Sequence, residues 1–489
     1  MFLKDDILTI DIVDMSRDGD GIGKIDGFVV FVRGALLGDR VKARLIKVKK
    51  AFAIGELLEI IEFSKDRINS PCNINRDCGG CSMIDLSYDK QLYIKEQYVN
   101  NTIERIAKIS DFNRLPIVSL EDNIYHYRNK ATASISTGGN IMRKGGMIES
   151  VGEPKVGFYR RKTHEVIDSS KCLIQSEAYK VVADAIRAFM KSDNITAWDP
   201  KWEQGLFRNV VVKTGFVTKE VMIILVINGK KIPNGVKLLG MLDDELYKAG
   251  FSLESVYINI KKDKVKNGEI MGDKQELYAG KPVIVDYIGD VKYEISSKSF
   301  YQVNPLMTRK LYDAIKDIAD LDENDIVLDL YSGVGSIGIY VVGSGCKVVG
   351  IEYVKEAVLD ANRNAVINGF VDCRYVCGKV EDVLFNSFEE ADNDGVKIDE
   401  DVLGWIKNAN VAIIDPPRSG MDKKAIDTIV KIGVDKIVYV SCDPATLARD
   451  IAEFNKYGYK LETVQAFDMY PNTTEVEVVT QLIRSEATR

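Results

Sequence analysis

Near the carboxyl end of this 489-residue chain, three short segments hold residue types that do chemistry. Asp329-Leu-Tyr331-Ser-Gly333-Val-Gly335-Ser-Ile-Gly338 stands where a strand should turn into a helix, and its glycines let backbone approach a ligand closely. Glu352 ends the next strand, where a carboxylate accepts hydrogen bonds from ribose hydroxyls. Both features suit NAD and S-adenosyl-L-methionine (AdoMet) equally. Asp415-Pro416-Pro417-Arg418 follows the strand-like NVAIID; an acid before two prolines fixes a rigid loop at a strand end, which hydride-transfer enzymes do not need. Cys442, in VSCDPA, lies between the strand KIVYV and the helix opened by PATLARD, facing the crevice where open α/β sheets bind ligands. A nearby helix N-terminus should favour its thiolate, although a lone cysteine at a strand end also serves simple packing.

A second set of thiols lies far upstream. Cys72-x5-Cys78-x2-Cys81, bent by Gly79 and Gly80, and distant Cys172 offer four thiolates. Structural zinc usually takes two close pairs, so three plus one is the less common arrangement for it, whereas four cysteines also suit a [4Fe-4S] cluster. Cys346, Cys373 and Cys377 read as packing, the last two in the strand-like CRYVC. Only two histidines, His126 and His164, are present, which excludes multi-His metal sites and makes a Ser-His-Asp apparatus a poor reading.

The elements that position these residues follow from pattern. Residues 1–60 alternate short apolar strands with Gly and Asp turns, the signature of a small β-barrel. Residues 61–300 mix β-like runs with a helix that starts after Ser176, an α+β segment. From 301 to 489 strands and helices alternate as in a doubly wound parallel sheet, ending in two successive strands. The net charge of −7 hides separation. Residues 385–401 hold seven carboxylates against Lys397, a solvated insertion with no chemistry, while 41–50 hold five basic residues and no acid. Together with Arg128, Lys130, Arg160 and Arg161, that strand predicts a basic face for a polyanion. The first residues lack a signal-peptide pattern and no stretch is apolar enough to span a membrane, so a cytoplasmic protein without membrane contact is expected.

DPPRSG followed by IVYVSCDPAT resembles the signature of the RNA uracil-5-methyltransferase family, and residues 1–60 resemble its TRAM barrel. The resemblance implies a class I AdoMet-dependent methyltransferase (Rossmann-like α/β) domain, an N-terminal OB-like TRAM barrel and a central α+β domain. It implies Cys442 as nucleophile and Glu477 as the base that removes the uracil C5 proton. Gln302, Tyr331, Glu352 and Asp415, with the loop glycines Gly333 and Gly335, are the implied AdoMet contacts, and Phe300 a stacking partner for a splayed base. Cys72, Cys78, Cys81 and Cys172 are implied to hold [4Fe-4S]. Barrel and cluster together resemble the members acting on 23S rRNA, with tRNA as the alternative target and a monomer as the expected state. Asp443, Tyr470, Asn472 and Glu475 depart from the family pattern, and Glu475 competes with Glu477 as the base. Two other readings stand beside this one: a non-covalent base methyltransferase using Asp415-Pro-Pro, and a non-catalytic iron-sulfur RNA-binding protein.

Overall fold

Five strands, Ile7–Met15, Gly21–Ile25, Phe28–Arg33, Arg40–Val48 and Phe52–Glu62, close into a barrel, because the first pairs with both the second and the fourth. Alternation along residues 40–45 sends Val41, Ala43 and Leu45 into the barrel core and Lys42 and Arg44 to solvent, and the register shift after Leu45 leaves Lys47 exposed as well. The computed structural model describes residues 2–485 apart from 122, 139–140, 145–146, 151, 162, 263–268 and 388–397. Most of the acidic insertion, residues 388–397, therefore lies outside the described residues. Among the described residues no helix is long and apolar enough to cross a membrane.

The central segment builds a seven-stranded sheet with Lys130–Ser136, Phe207–Thr214 and Glu220–Ile227 in the middle. Helices Glu177–Ser192 and Gly235–Lys248 cover one face, their apolar stripes packing on Ala131, Ala133, Val210, Val212 and Ile223. A two-stranded ribbon, Val283–Ile288 with Val291–Ser296, bridges to the last domain, where Glu294 N–H donates to Asn364 Oδ1 at 2.9 Å.

The last domain is an eight-stranded sheet. Cys373–Cys377, Lys347–Glu352, Ile326–Leu330, Val411–Ile414 and Lys436–Ser441 run parallel in that spatial order, then Glu477–Arg484 runs antiparallel, next to Tyr459–Phe467. Its central strands are nearly all apolar, as burial on both faces requires. Cys346 and Cys373 are buried in this core, whereas Cys377, at the end of its strand, is partly exposed.

Two pieces of the 61–300 segment belong to this sheet. Strand Asn113–Val118 pairs with Tyr459–Phe467 at its edge, and helix Tyr88–Ala107 packs on helix Pro444–Lys456. That helix also grips the turn joining the last two strands. The fully buried Lys95 ammonium pairs with Asp468 and donates to Tyr470 O at 3.0 Å, and Tyr88 Oη donates to Asp468 at 2.7 Å. Gln91 holds Asn472 through its backbone N–H at 2.9 Å. A charge buried this deeply persists only when paired, so the helix and the turn stand or fall together.

Candidate active site

The parallel strands deliver three loops to one crevice at their carboxyl ends. After Ile326–Leu330 the chain enters the glycine loop through Tyr331, whose φ of +62° is unusual for a non-glycine residue, followed by Gly333 at +55° and Gly335 at +73°. A Cβ on Gly335 would stand 2.5 Å from the Tyr375 ring, so only glycine fits there. Glu352 Oε2 accepts from the Gly333 N–H at 3.0 Å and Oε1 from the Val354 N–H at 2.7 Å, holding the loop to the next strand. Asp329 Oδ2 accepts from the Gly338 N–H at 3.0 Å, while Asp329 Oδ1 and Ser332 Oγ are buried with no partner among the described residues. Burial pushes the carboxyls of Asp329 and Asp415 up to about 7 each. Gln302 is buried, its carbonyl accepting from Asn129 Nδ2 at 2.8 Å, and neighbouring Phe300 is 61% exposed.

Cys442 and Glu477 meet through strand register. Lys436–Ser441 pairs antiparallel with Glu477–Arg484 so that Ser441 lies opposite Val478. Continuing that register by one residue sets Cys442 opposite Glu477, close enough for the Glu477 charge to act on the thiol. Glu477 is 4% exposed; burial and the nearby Asp415 raise its carboxyl well above the usual range, and Tyr470 Oη donates to its Oε1 at 3.3 Å.

The thiol corrects one expectation. The first N–H groups of helix Pro444–Lys456 are spent on Asp443, whose Oδ1 accepts from Ala445 at 2.9 Å and Thr446 at 3.4 Å. Burial and the Glu477 charge instead push Cys442 up to about 11. Asp443 Oδ2 meets the Arg17 guanidinium at 2.5 Å, and Thr474 Oγ1 donates to Arg17 O at 2.5 Å, so a barrel turn abuts the nucleophile loop. Glu475, the competing candidate base, does not share a strand face with Glu477. The strand begins only at Glu477, and Glu475 lies in the turn before it, paired with Arg418 at 2.9 Å.

Cys72, Cys78, Cys81 and Cys172 line one cavity of about 200 Å³, with Ile84, Phe158 and Leu173 among its apolar walls. Gly79, at φ +63°, ends the short helix Asn75–Cys78 and turns the chain so that Cys78 and Cys81 share that cavity. Burial raises the Cys78, Cys81 and Cys172 thiols, and their mutual repulsion adds to it. Among the described residues no three His, Cys, Asp or Glu side chains converge as a single-ion site requires.

The basic face is smaller than sequence predicts. Arg160 pairs with Asp77 and Glu165, and Arg161 donates to Asp18 O at 2.8 Å, so both pin loops rather than await a ligand. Arg128 lines the cysteine cavity and lies 6.0 Å from the Tyr470 ring. Lys130 is half-buried. Linear charge density could not show the pairings with Asp77 and Asp18, which lie far from Arg160 and Arg161 in sequence.

Residues 164–485 match the tRNA (Uracil-5-)-methyltransferase family and residues 6–58 match the TRAM domain. The chain belongs to the tRNA (uracil-5-)-methyltransferase family. An uncharacterized RNA methyltransferase of Halalkalibacterium halodurans is 36% identical over 479 residues, 98% of this chain and 97% of that protein. One from Caldanaerobacter subterraneus is 38% identical over 471 residues, 96% of each chain. The crystal structure of Pyrococcus abyssi tRNA (uracil-54, C5)-methyltransferase in complex with S-adenosyl-L-homocysteine is similar in fold, with a TM-score of 0.72 and 24% identity. That match covers 97% of this chain and 100% of that one.

As a member of this family the chain is an AdoMet-dependent RNA methyltransferase with an N-terminal TRAM barrel. The glycine loop fits a bound cofactor such as AdoMet: it leaves the buried Asp329 Oδ1 and Ser332 Oγ without a partner among the described residues and holds Tyr331 at a strained φ.

Proposed function

We propose that this enzyme methylates C5 of a uridine in 23S rRNA through a covalent adduct between Cys442 and uracil C6. The observation that carries the reading is the register that sets Cys442 opposite buried Glu477 in the crevice bordered by the glycine loop. Uracil C5 is a poor nucleophile. Addition of the Cys442 thiolate to C6 makes C5 enolate-like, and C5 then takes the methyl group. AdoMet supplies that methyl on a sulfonium whose positive charge also favours the ionised thiol and carboxylate. Glu477 accepts the C5 proton, the electron pair returns to form the C5–C6 double bond, and the thiolate leaves C6. Gln302, Tyr331, Gly333, Gly335, Glu352 and Asp415 hold the cofactor. Phe300, exposed beside Gln302, offers a face for the extruded base.

Domains of residues 1–60, 61–300 and 301–489 divide the work: the barrel and central domain grip RNA, and the last domain, joined by the helix and strand of residues 88–118, does the chemistry in a monomer in the cytoplasm. Mapping 5-methyluridine by mass spectrometry in RNA from a strain lacking the gene tests the target. Loss at a 23S rRNA position with tRNA unaffected is the expected result. Loss confined to tRNA would transfer the reading to the reaction named for the Pyrococcus abyssi enzyme, whose fold this chain shares over nearly its whole length.

The four cysteines of the second cavity hold [4Fe-4S] in this reading, supported by their shared, apolar-walled cavity. Anaerobically purified protein should carry about four irons per chain. Replacing Cys81 with Ser should remove the iron, and since the site ties residues 72–81 to Cys172, the central domain should lose protease resistance first. Stoichiometric zinc without iron would overturn the assignment.

A further inference from the structure

The central sheet has a second face that its two helices do not cover. Lys130 and Lys213 are directly opposed on neighbouring antiparallel strands, so their side chains share that face. Like charges in that position are normally destabilising. Lys213 is buried, and its ammonium donates only to the carbonyls of Ser296 at 2.8 Å and Ser299 at 2.9 Å. The Lys130 ammonium has no hydrogen bond or ion pair among the described residues. Asp360, the carboxylate whose charge acts on Lys213, is already committed to Arg363 at 2.7 Å and to the Ser296 and Ser299 hydroxyls. Burial lowers Lys130 and brings Lys213 down to about 7, as expected of cations lacking an anion.

Both lysines border a cavity of about 380 Å³, within the size range of sites that hold small molecules. Thr132, Asn259 and Gln275 add hydrogen-bonding groups to its wall, and Asp273 is the one carboxylate lining it. The cavity adjoins the segment that carries the active-site aromatic: Lys213 holds Ser299, and the next residue is exposed Phe300.

We infer that this cavity is an anion subsite in which Lys130 and Lys213 bind a phosphodiester of the RNA strand next to the uridine splayed at Phe300. The inference rests on the uridine methyltransferase reading for its ligand. An RNA phosphate there would supply the charge both lysines lack. Through Lys213 it would also fix the turn leading to Phe300 and Gln302, coupling strand placement to the catalytic crevice.

The salt dependence of RNA binding, measured without turnover, tests this on the full-length protein. Lys130→Ala should weaken binding about three- to tenfold at moderate salt and reduce the slope of log K against log salt by about 1. Lys130→Arg should restore both, and AdoMet affinity should be unchanged in either variant. Unchanged RNA affinity and slope in Lys130→Ala would overturn the subsite. So would a loss of affinity at unchanged slope, because that is lost packing and not lost phosphate contact. A free nucleotide is distinguished with 5′-UMP as probe: calorimetric binding that disappears in Lys130→Ala, with the RNA slope intact, would overturn the RNA assignment. Methyl transfer by the wild type is scored separately. Its absence would count against uridine methylation, while the binding slopes would still decide the subsite.

Discussion

Cys442→Ala should abolish methyl transfer, by roughly 10⁴- to 10⁶-fold, while leaving AdoMet bound. The glycine loop, Glu352 and Asp415 are untouched by the substitution, so calorimetric AdoMet affinity should stay at the wild-type value. What disappears is the thiolate addition that makes uracil C5 nucleophilic. Because burial and Glu477 push the thiol up to about 11, only a small fraction is ionised at neutral pH in the free enzyme. The rate of adduct formation on RNA carrying 5-fluorouridine should therefore climb with pH over roughly pH 6 to 9. The sign follows from the raised value: a higher pH deprotonates a thiol whose neutral form burial favours. Trapping should require both Cys442 and AdoMet, since fluorine cannot leave as a proton. Substantial methylation by Cys442→Ala, or no trapped adduct, would return the enzyme to a non-covalent mechanism.

Glu477→Gln should separate addition from release. Thiolate attack and methylation proceed, but the C5 proton has no acceptor, so an enzyme–RNA adduct that survives denaturing electrophoresis should accumulate with unmodified RNA. Turnover should fall by about 10²- to 10⁴-fold, the usual contribution of a positioned base. The amide preserves the acceptor for Tyr470 Oη and keeps the shape of a side chain that is 4% exposed, so folding should survive. Glu475→Gln should lack this adduct, because Glu475 faces Arg418. An adduct in the Glu475 variant with wild-type turnover by Glu477→Gln would reverse the assignment.

Much of this architecture was legible in the chain itself. The alternation of Val41, Ala43 and Leu45 with basic residues marks a barrel strand, since a period of two is how a strand sorts its faces. The near-continuous apolar runs VAII and KIVYV mark strands buried on both sides, and the glycines after Asp329 mark a turn that only positive φ permits at Gly335. Local sterics and burial write those features into neighbouring residues, so reading neighbours recovers them. The motifs at Asp415 and Cys442 were legible for the same reason.

Tertiary structure alone decided the rest, because the deciding contacts are ones that no local period or motif encodes. Strand Asn113–Val118 joins the catalytic sheet through Tyr459–Phe467, a pairing that no local period encodes. Asn472 and Tyr470, which look like departures in sequence, are the joints of a turn held by Gln91, Lys95 and Tyr88. Arg160 and Arg161 looked free for a polyanion until the fold brought Asp77 and Asp18 to them. The thiol of Cys442 looked activated by a helix end until Asp443 took those N–H groups and burial reversed the sign. A sequence specifies which groups are present and the local conformations they prefer. Desolvation and charge pairing depend on what the folded chain places within a few ångströms, and these set whether a thiol is ionised and a lysine is free.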